Sequence, residues 1–248
     1  MKTNILGVGI DVVTRQEALE KVLGFLQTDE LDLIVTPNSE IITLANKDKV
    51  FFDIIQNASL VVPDGIGVVF ASRLNDQKLT ERVSGYDLVK DLFERNAPLN
   101  VYILGANEGV PQRAKDNIER LYSNVKVVGL SNGYFDGAAE KQILDEIIAL
   151  KPDLLLVGLG AARQEKWIEK NKKTLEGSVK VAIGIGGAID VFSGYVKRAP
   201  DVFIKLNLEW FYRMATDPKR FLRIGGLVSF AVNVLWKDFW RKRNEKNN

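Results

Sequence analysis

Seven short apolar runs, ILGVGI, LDLIV, LVV, VYILG, VKVVGL, LLLVGLG and VKVAIGIG, lie within residues 5–186, and each precedes a stretch of helical character. Runs this short, spaced by roughly 10–15 helical residues, read as strands buried on both faces and joined by crossover helices. The expected fold is therefore α/β: a Rossmann-like, mostly parallel sheet with helices on both faces. Helix starts are marked where capping chemistry is present. Thr14 with Glu17 makes a capping box, and Ser84, with Asp87 three residues on, opens a helix expected over 85–96. No internal repeat and no low-complexity linker interrupts the pattern.

The pattern stops at Ala199-Pro200, which sets expected units of 1–200 and 201–248. The second unit has no strand-like run and carries three of the four tryptophans. It also holds ten Lys/Arg against five Asp/Glu, a formal +5, so a chain of net charge +2 leaves −3 for the first 200 residues. Asp217-Pro218 has the form of a helix cap and first helical position, so one helix is expected to end near Met214 and another to begin. The apolar segment 224–236 is 13 residues long, short of the roughly 20 that span a bilayer, and either lies on a membrane or packs on a core. Basic residues mixed with Trp and Phe suit an anionic membrane surface; ordinary core helices with a charged outer face are the competing account.

The chain contains neither cysteine nor histidine. That excludes disulfides, thiolate nucleophiles and zinc or iron sites built on those ligands, and it hands proton transfer to a carboxylate, lysine or tyrosine. The N-terminus has no basic start leading into a long apolar run, so no signal peptide is read there and a cytoplasmic location is expected.

In open α/β sheets ligands sit beyond the carboxyl ends of the strands, and four groups of polar or glycine residues fall there. In Thr36-Pro37-Asn38-Ser39-Glu40, either Asn38 or Ser39 merely caps a helix, or Thr36 and Asn38 face a substrate. Asp64, in Pro63-Asp64-Gly65-Ile66-Gly67, is either a turn residue or a carboxylate held between apolar strands, where desolvation makes it a better base. The segment 158–167, with Gly158, Gly160, Arg163 and Gln164, is either a tight strand-to-helix connection or a diphosphate cradle. Three glycines in four positions, Gly184, Gly186 and Gly187, mark a close approach by a ligand or by a neighbouring helix. None of the G-x-G pairs continues as G-x-G-x-x-G, the phosphate-loop pattern is absent, and no D-x-D occurs.

Six stretches, TPNSE (36–40), PDGIG (63–67), ERVSGYD (81–87), GAARQEKW (160–167), GIGGAIDVFSG (184–194) and VKRAP (196–200), taken in order resemble the WecG/TagA/CpsF glycosyltransferases, glycosyltransferase family 26. One departure is Ala162, where that family usually has proline, and it is expected to loosen the turn before Gln164. The resemblance implies transfer of N-acetylmannosamine, or a related sugar such as its uronate, from a UDP-sugar to undecaprenyl-diphosphate-linked N-acetylglucosamine, with inversion and with neither metal nor cofactor. It implies Asp64 as the base, with Thr36, Asn38, Arg82 and Gln164 beside it; Gly65, Gly160, Gly184, Gly186 and Gly187, from their place after the strands, are expected to line the substrate. Arg213, Arg220 and Arg223 match arginines of a C-terminal appendage that folds over the site at the inner face of the membrane. Teichoic acid linkage-unit synthesis is the implied pathway, with surface antigen or capsule as alternatives. Two rivals remain in view: a nucleotide-cofactor oxidoreductase and a non-enzymatic nucleotide-sugar binding module. A homo-oligomer is possible through the apolar tail, and no nucleic-acid partner is expected.

Overall fold

The structure, a computed structural model, describes residues 1–206, 208–216 and 224–246. The first apolar run departs from expectation. ILGVGI does not enter the parallel sheet; it folds back on itself, with β1 (Lys2–Ile5) and β2 (Val8–Asp11) antiparallel. Leu6 and Gly7 between them take φ of 51° and 96°, the mirror-image turn that reverses a chain within two residues.

The other six runs become β3 (Asp32–Val35), β4 (Leu60–Val61), β5 (Leu99–Gly105), β6 (Val125–Ser131), β7 (Leu154–Gly158) and β8 (Val181–Gly184). They form one sheet of order β4-β3-β8-β7-β5-β6 in which every pairing is parallel. Strand β4 is only two residues long and lies at an edge. The hairpin covers that edge, and the Asp11 carboxylate accepts the outward Val61 N–H at 2.9 Å.

Period-two alternation distributes the strand side chains between two cores. Leu33, Val35, Tyr102, Leu104, Leu155 and Val157 face one layer. Ile34, Val101, Ile103, Leu154, Leu156 and Ile183 face the other. Helices α1 (Arg15–Phe25), α2 (Ser39–Ala45), α3 (Lys49–Asn57), α4 (Ile66–Ser72), α5 (Gly85–Glu94), α6 (Val110–Leu121), α7 (Gly137–Leu150), α8 (Arg163–Leu175) and α9 (Ala188–Phe192) clothe these faces. Those numbered 2, 3, 4, 7 and 8 pack on the first layer; 1, 5, 6 and 9 pack on the second. Capping chemistry starts two of them as expected: Thr14 and Glu17 make a reciprocal capping box, and the Ser84 hydroxyl accepts the Asp87 N–H at 3.1 Å.

Helices α10 (Asp201–Lys205), α11 (Glu209–Thr216) and α12 (Ile224–Lys246) complete the chain. Helix α11 runs two residues past Met214, and Asp217-Pro218 lie outside the described residues. The apolar segment for which two fates stood open packs one face on the core and leaves another exposed. Phe230 of α12 is 3% exposed and Val234 packs beside it in the first core, next to α2 and α4, while Val228, Val232, Leu235 and Trp236 remain exposed on the same helix. Among the described residues no helix is long and apolar enough to cross a membrane.

Thr14→Ala removes both halves of the first capping box and is expected to lower unfolding stability by about 1 kcal/mol. A urea titration checks this: the midpoint should fall with an unchanged slope.

Candidate active site

The strand order sets the carboxyl ends of β4, β3, β8 and β7 side by side, and the four polar groups follow those strands: 63–67, 36–40, 184–190 and 158–167. Hydrogen bonds knit them together. The Asp64 N–H donates to the Pro37 carbonyl at 3.1 Å, and Val83 N–H donates to Pro63 at 2.9 Å, drawing Arg82 alongside. The Thr36 hydroxyl, 5% exposed, donates to the Gly184 carbonyl at 3.3 Å across the β3–β8 seam. The Gly186 N–H donates to Gln164 Oε1 at 3.1 Å, joining β8 to α8. These hydrogen bonds thus bring the segments of Thr36, Asn38, Asp64, Arg82 and Gln164 together beyond the strand ends.

Each expected residue has a defined place. Asn38 is the N-cap of α2, its Oδ1 accepting the Ile41 N–H at 3.0 Å, so the capping role is real and engages the carbonyl oxygen. Asp64 is half-buried. Gly65 (φ 148°) turns against the Asn38 side chain. Gly160 and Gly186 have open space where a side chain would stand, and Gly187 starts α9. Gly184 answers the question of what approaches so closely. A Cβ there would meet Gln164 Nε2 at 2.5 Å and Glu165 Oε1 at 2.8 Å, so the neighbour is helix α8. Ala162 adopts φ 66°, which proline's ring forbids. The departure from the family pattern therefore gives the turn a different backbone path, beyond the loosening expected. Arg213 lies on α11 without a described side chain, and Arg220 and Arg223 fall outside the described residues.

Four charged residues that the sequence reading did not place in the site also cluster here. Arg82, its side chain 15% exposed, donates from Nη1 to Glu209 Oε2 at 2.8 Å and from Nη2 to Asp87 Oδ2 at 3.4 Å. Arg198 pairs with the other oxygen of Asp87 and lies over the Tyr86 ring at 4.6 Å. Burial works against the Arg82 charge, yet Asp64, Glu209 and Asp87 around it hold its pKa above the ordinary value. Burial alone would raise Asp87; the Ser84 hydroxyl, at 2.6 Å, and Arg198 hold it below the usual carboxylate range. Glu165 is wholly buried, and burial pushes its pKa up. A sequence signal for it existed: on α8 the polar Gln164 and Glu165 share the buried face with Ile168, Asn171 and Leu175.

Comparison with known proteins places these motifs in context. The sequence model of the family described as "Glycosyl transferase WecG/TagA/CpsF family" matches residues 3–244. A Bacillus subtilis (strain 168) protein named N-acetylglucosaminyldiphosphoundecaprenol N-acetyl-beta-D-mannosaminyltransferase is 38% identical over 224 residues, 88% of this chain and 86% of its own. Proteins of the same name from Staphylococcus aureus (strain MRSA252) and Bacillus spizizenii are 34% and 35% identical, covering 94% and 88% of this chain and 92% and 86% of theirs.

Asp87→Asn tests the charge cluster. Because folding depresses the Asp87 pKa, its stabilisation is present above the unfolded-state value, about 3.9, and is lost as pH falls through the folded-state value. The variant is expected to be less stable by on the order of 1–3 kcal/mol at neutral pH. Thermal melts across pH should show the gap closing below about pH 4.

Proposed function

This chain belongs to the WecG/TagA/CpsF glycosyltransferase family, and we propose that it transfers N-acetylmannosamine from a UDP-sugar to undecaprenyl-diphosphate-linked N-acetylglucosamine, inverting the anomeric centre without a metal ion. The observation that carries the reading is the convergence of the segments of Thr36, Asn38, Asp64, Arg82 and Gln164, from separate stretches of chain, beyond the strand ends. The names of the relatives supply the acceptor and the sugar.

In this reading Asp64 takes the proton from the acceptor hydroxyl. The oxygen attacks the anomeric carbon opposite the departing UDP, which inverts its configuration. With no D-x-D in the chain, the charge that develops on UDP falls to arginine and to backbone N–H donors. The Arg82 guanidinium, a fork of five donors, is held beside Asp64 by Glu209 and Asp87 and is suited to that task. Gly160 and Gly186, with open space before them, allow a sugar or phosphate to approach the backbone.

Residues 1–200 then form the catalytic unit and 201–248 an appendage bound to the cytoplasmic face of an anionic membrane. Two observations support the second half. Glu209 of α11 ties the appendage to Arg82, and α12 turns Val228, Val232, Leu235 and Trp236 outward amid a basic tail. Arg213, Arg220 and Arg223 would complete the site from this side.

The reading is tested by UDP release with a panel of UDP-sugars and a short-chain lipid-diphosphate-N-acetylglucosamine acceptor. UDP-N-acetylmannosamine should be the preferred donor. Asp64→Asn should lose roughly 10²- to 10⁴-fold in turnover and keep its fold; a folded variant with near wild-type turnover removes Asp64 from the role. Leu235→Ser combined with Trp236→Ser should abolish flotation with phosphatidylglycerol vesicles. Unchanged flotation would sink the membrane assignment of α12.

A further inference from the structure

Helix α8 buries two adjacent polar side chains at its start, and each has a bond that the other explains. Gln164, 2% exposed, accepts the Gly186 N–H at Oε1 and donates from Nε2 to Glu165 Oε1 at 2.8 Å. We infer that Glu165 is a positioning residue, whose side-chain oxygen fixes which way the Gln164 amide faces beneath the carboxyl end of β8.

A glutamine amide can turn over by half a circle at little cost beyond its hydrogen bonds. Here both ends are assigned. The Gly186 N–H requires an oxygen opposite it, and the Glu165 oxygen receives the amide nitrogen. Turned over, the NH2 group would face another donor. One hydrogen of Nε2 is thereby used and the second is left with a fixed direction, which is what a group that contacts substrate needs. Gly184 belongs to the same device, since its missing Cβ is the space in which Gln164 Nε2 and Glu165 Oε1 meet.

Glu165 stands in the first turn of α8, where the Ala162 and Glu165 N–H groups favour an acidic side chain, yet apolar packing gives no further reason for one here. Glu165 is 0% exposed, and its Oε2 has no hydrogen-bond partner among the described residues. An apolar side chain of equal length would fill the space without stranding a polar atom. The upward push that burial gives its pKa favours the uncharged form, which an isosteric amide reproduces.

The inference rests on the proposed role of Gln164 at the active site, and the test separates the two. Glu165→Met keeps the length and removes the acceptor. It is expected to lower kcat/KM for UDP release by about 10- to 100-fold, the range found when a residue that orients a site ligand is lost. Gln164→Ala combined with Glu165→Met should be no worse than Gln164→Ala alone, because both act through one amide. Glu165→Gln, which restores the oxygen, should return activity close to wild type. Hydrogen exchange at the Gly186 amide supplies a readout independent of catalysis: faster in Glu165→Met, unchanged in Glu165→Gln. Should Glu165→Met not fold, Glu165→Asp replaces it in every arm, since it withdraws the oxygen by one methylene. A folded variant with full activity and unchanged Gly186 exchange, losses that multiply in the double variant, or failure of Glu165→Gln to restore activity overturns the inference. If wild-type protein releases no UDP from any donor, the functional reading fails, and Gly186 exchange still decides whether Glu165 orients Gln164.

Discussion

The pairing of β3 with β8 is the contact on which the molecule depends. The sheet has a small part, β4 and β3, made from the first quarter of the chain, and a larger part, β8, β7, β5 and β6, made from the rest. Among the described residues, the ladder from Asp32↔Val181 to Ile34↔Ile183 is the sheet's one join between them. The candidate site straddles that join. Thr36 continues β3, Gly184 ends β8, and the hydroxyl of one bonds the carbonyl of the other. Asp64 and Asn38 stand on the small part, and Gln164 on the large. A shift in the pairing would separate the two sets of groups, so site geometry and sheet integrity are one property.

Much of this was legible before any coordinates. Six runs that read as buried strands are strands, because a parallel sheet covered on both faces leaves continuous apolar sequence as its trace. ILGVGI shows the limit of that rule. A run of six apolar or glycine residues fits one buried strand as well as a two-residue turn between two short ones, and the choice is made by Leu6 and Gly7 adopting positive φ. That the four polar groups fall at strand ends was readable for the same topological reason. The partners of those residues were not. Glu165 sits in a run of Arg, Gln, Glu and Lys that resembles a solvated helix face, and only helical periodicity, which puts it beside Gln164 and Ile168, gives its burial away. Glu209 pairs with Arg82 across 127 positions of chain, and no local pattern encodes such a contact.

Charge counting along the tail needs a similar adjustment. Of the five acids in residues 201–248, Glu209 is turned inward and spent on Arg82. That carboxylate is withdrawn from the tail's exposed face and pairs instead with Arg82, beside Asp87, at the candidate site. Phe230 makes the same point for apolar residues: a segment long enough for an amphipathic helix on a membrane spends one face on α2 and α4 and keeps the other.

The order of the strands also sets a timetable. The edge of β4 is sealed by Asp11, which precedes it on the chain, so a growing polypeptide carries that seal from the outset. The inner edge of β3 waits for β8, which is made roughly 150 residues later; at translation rates of about 5–20 residues per second this is ~8–30 s of synthesis. Throughout that interval β3, already flanked by β4 on one side, shows an open inner edge along Leu33-Ile34-Val35 whose second neighbour does not yet exist. The inner edge of β3 stays open longer than that of β5, which waits only for β7, so chaperone demand and inclusion-body risk during overproduction are greatest at this edge, beside the candidate site.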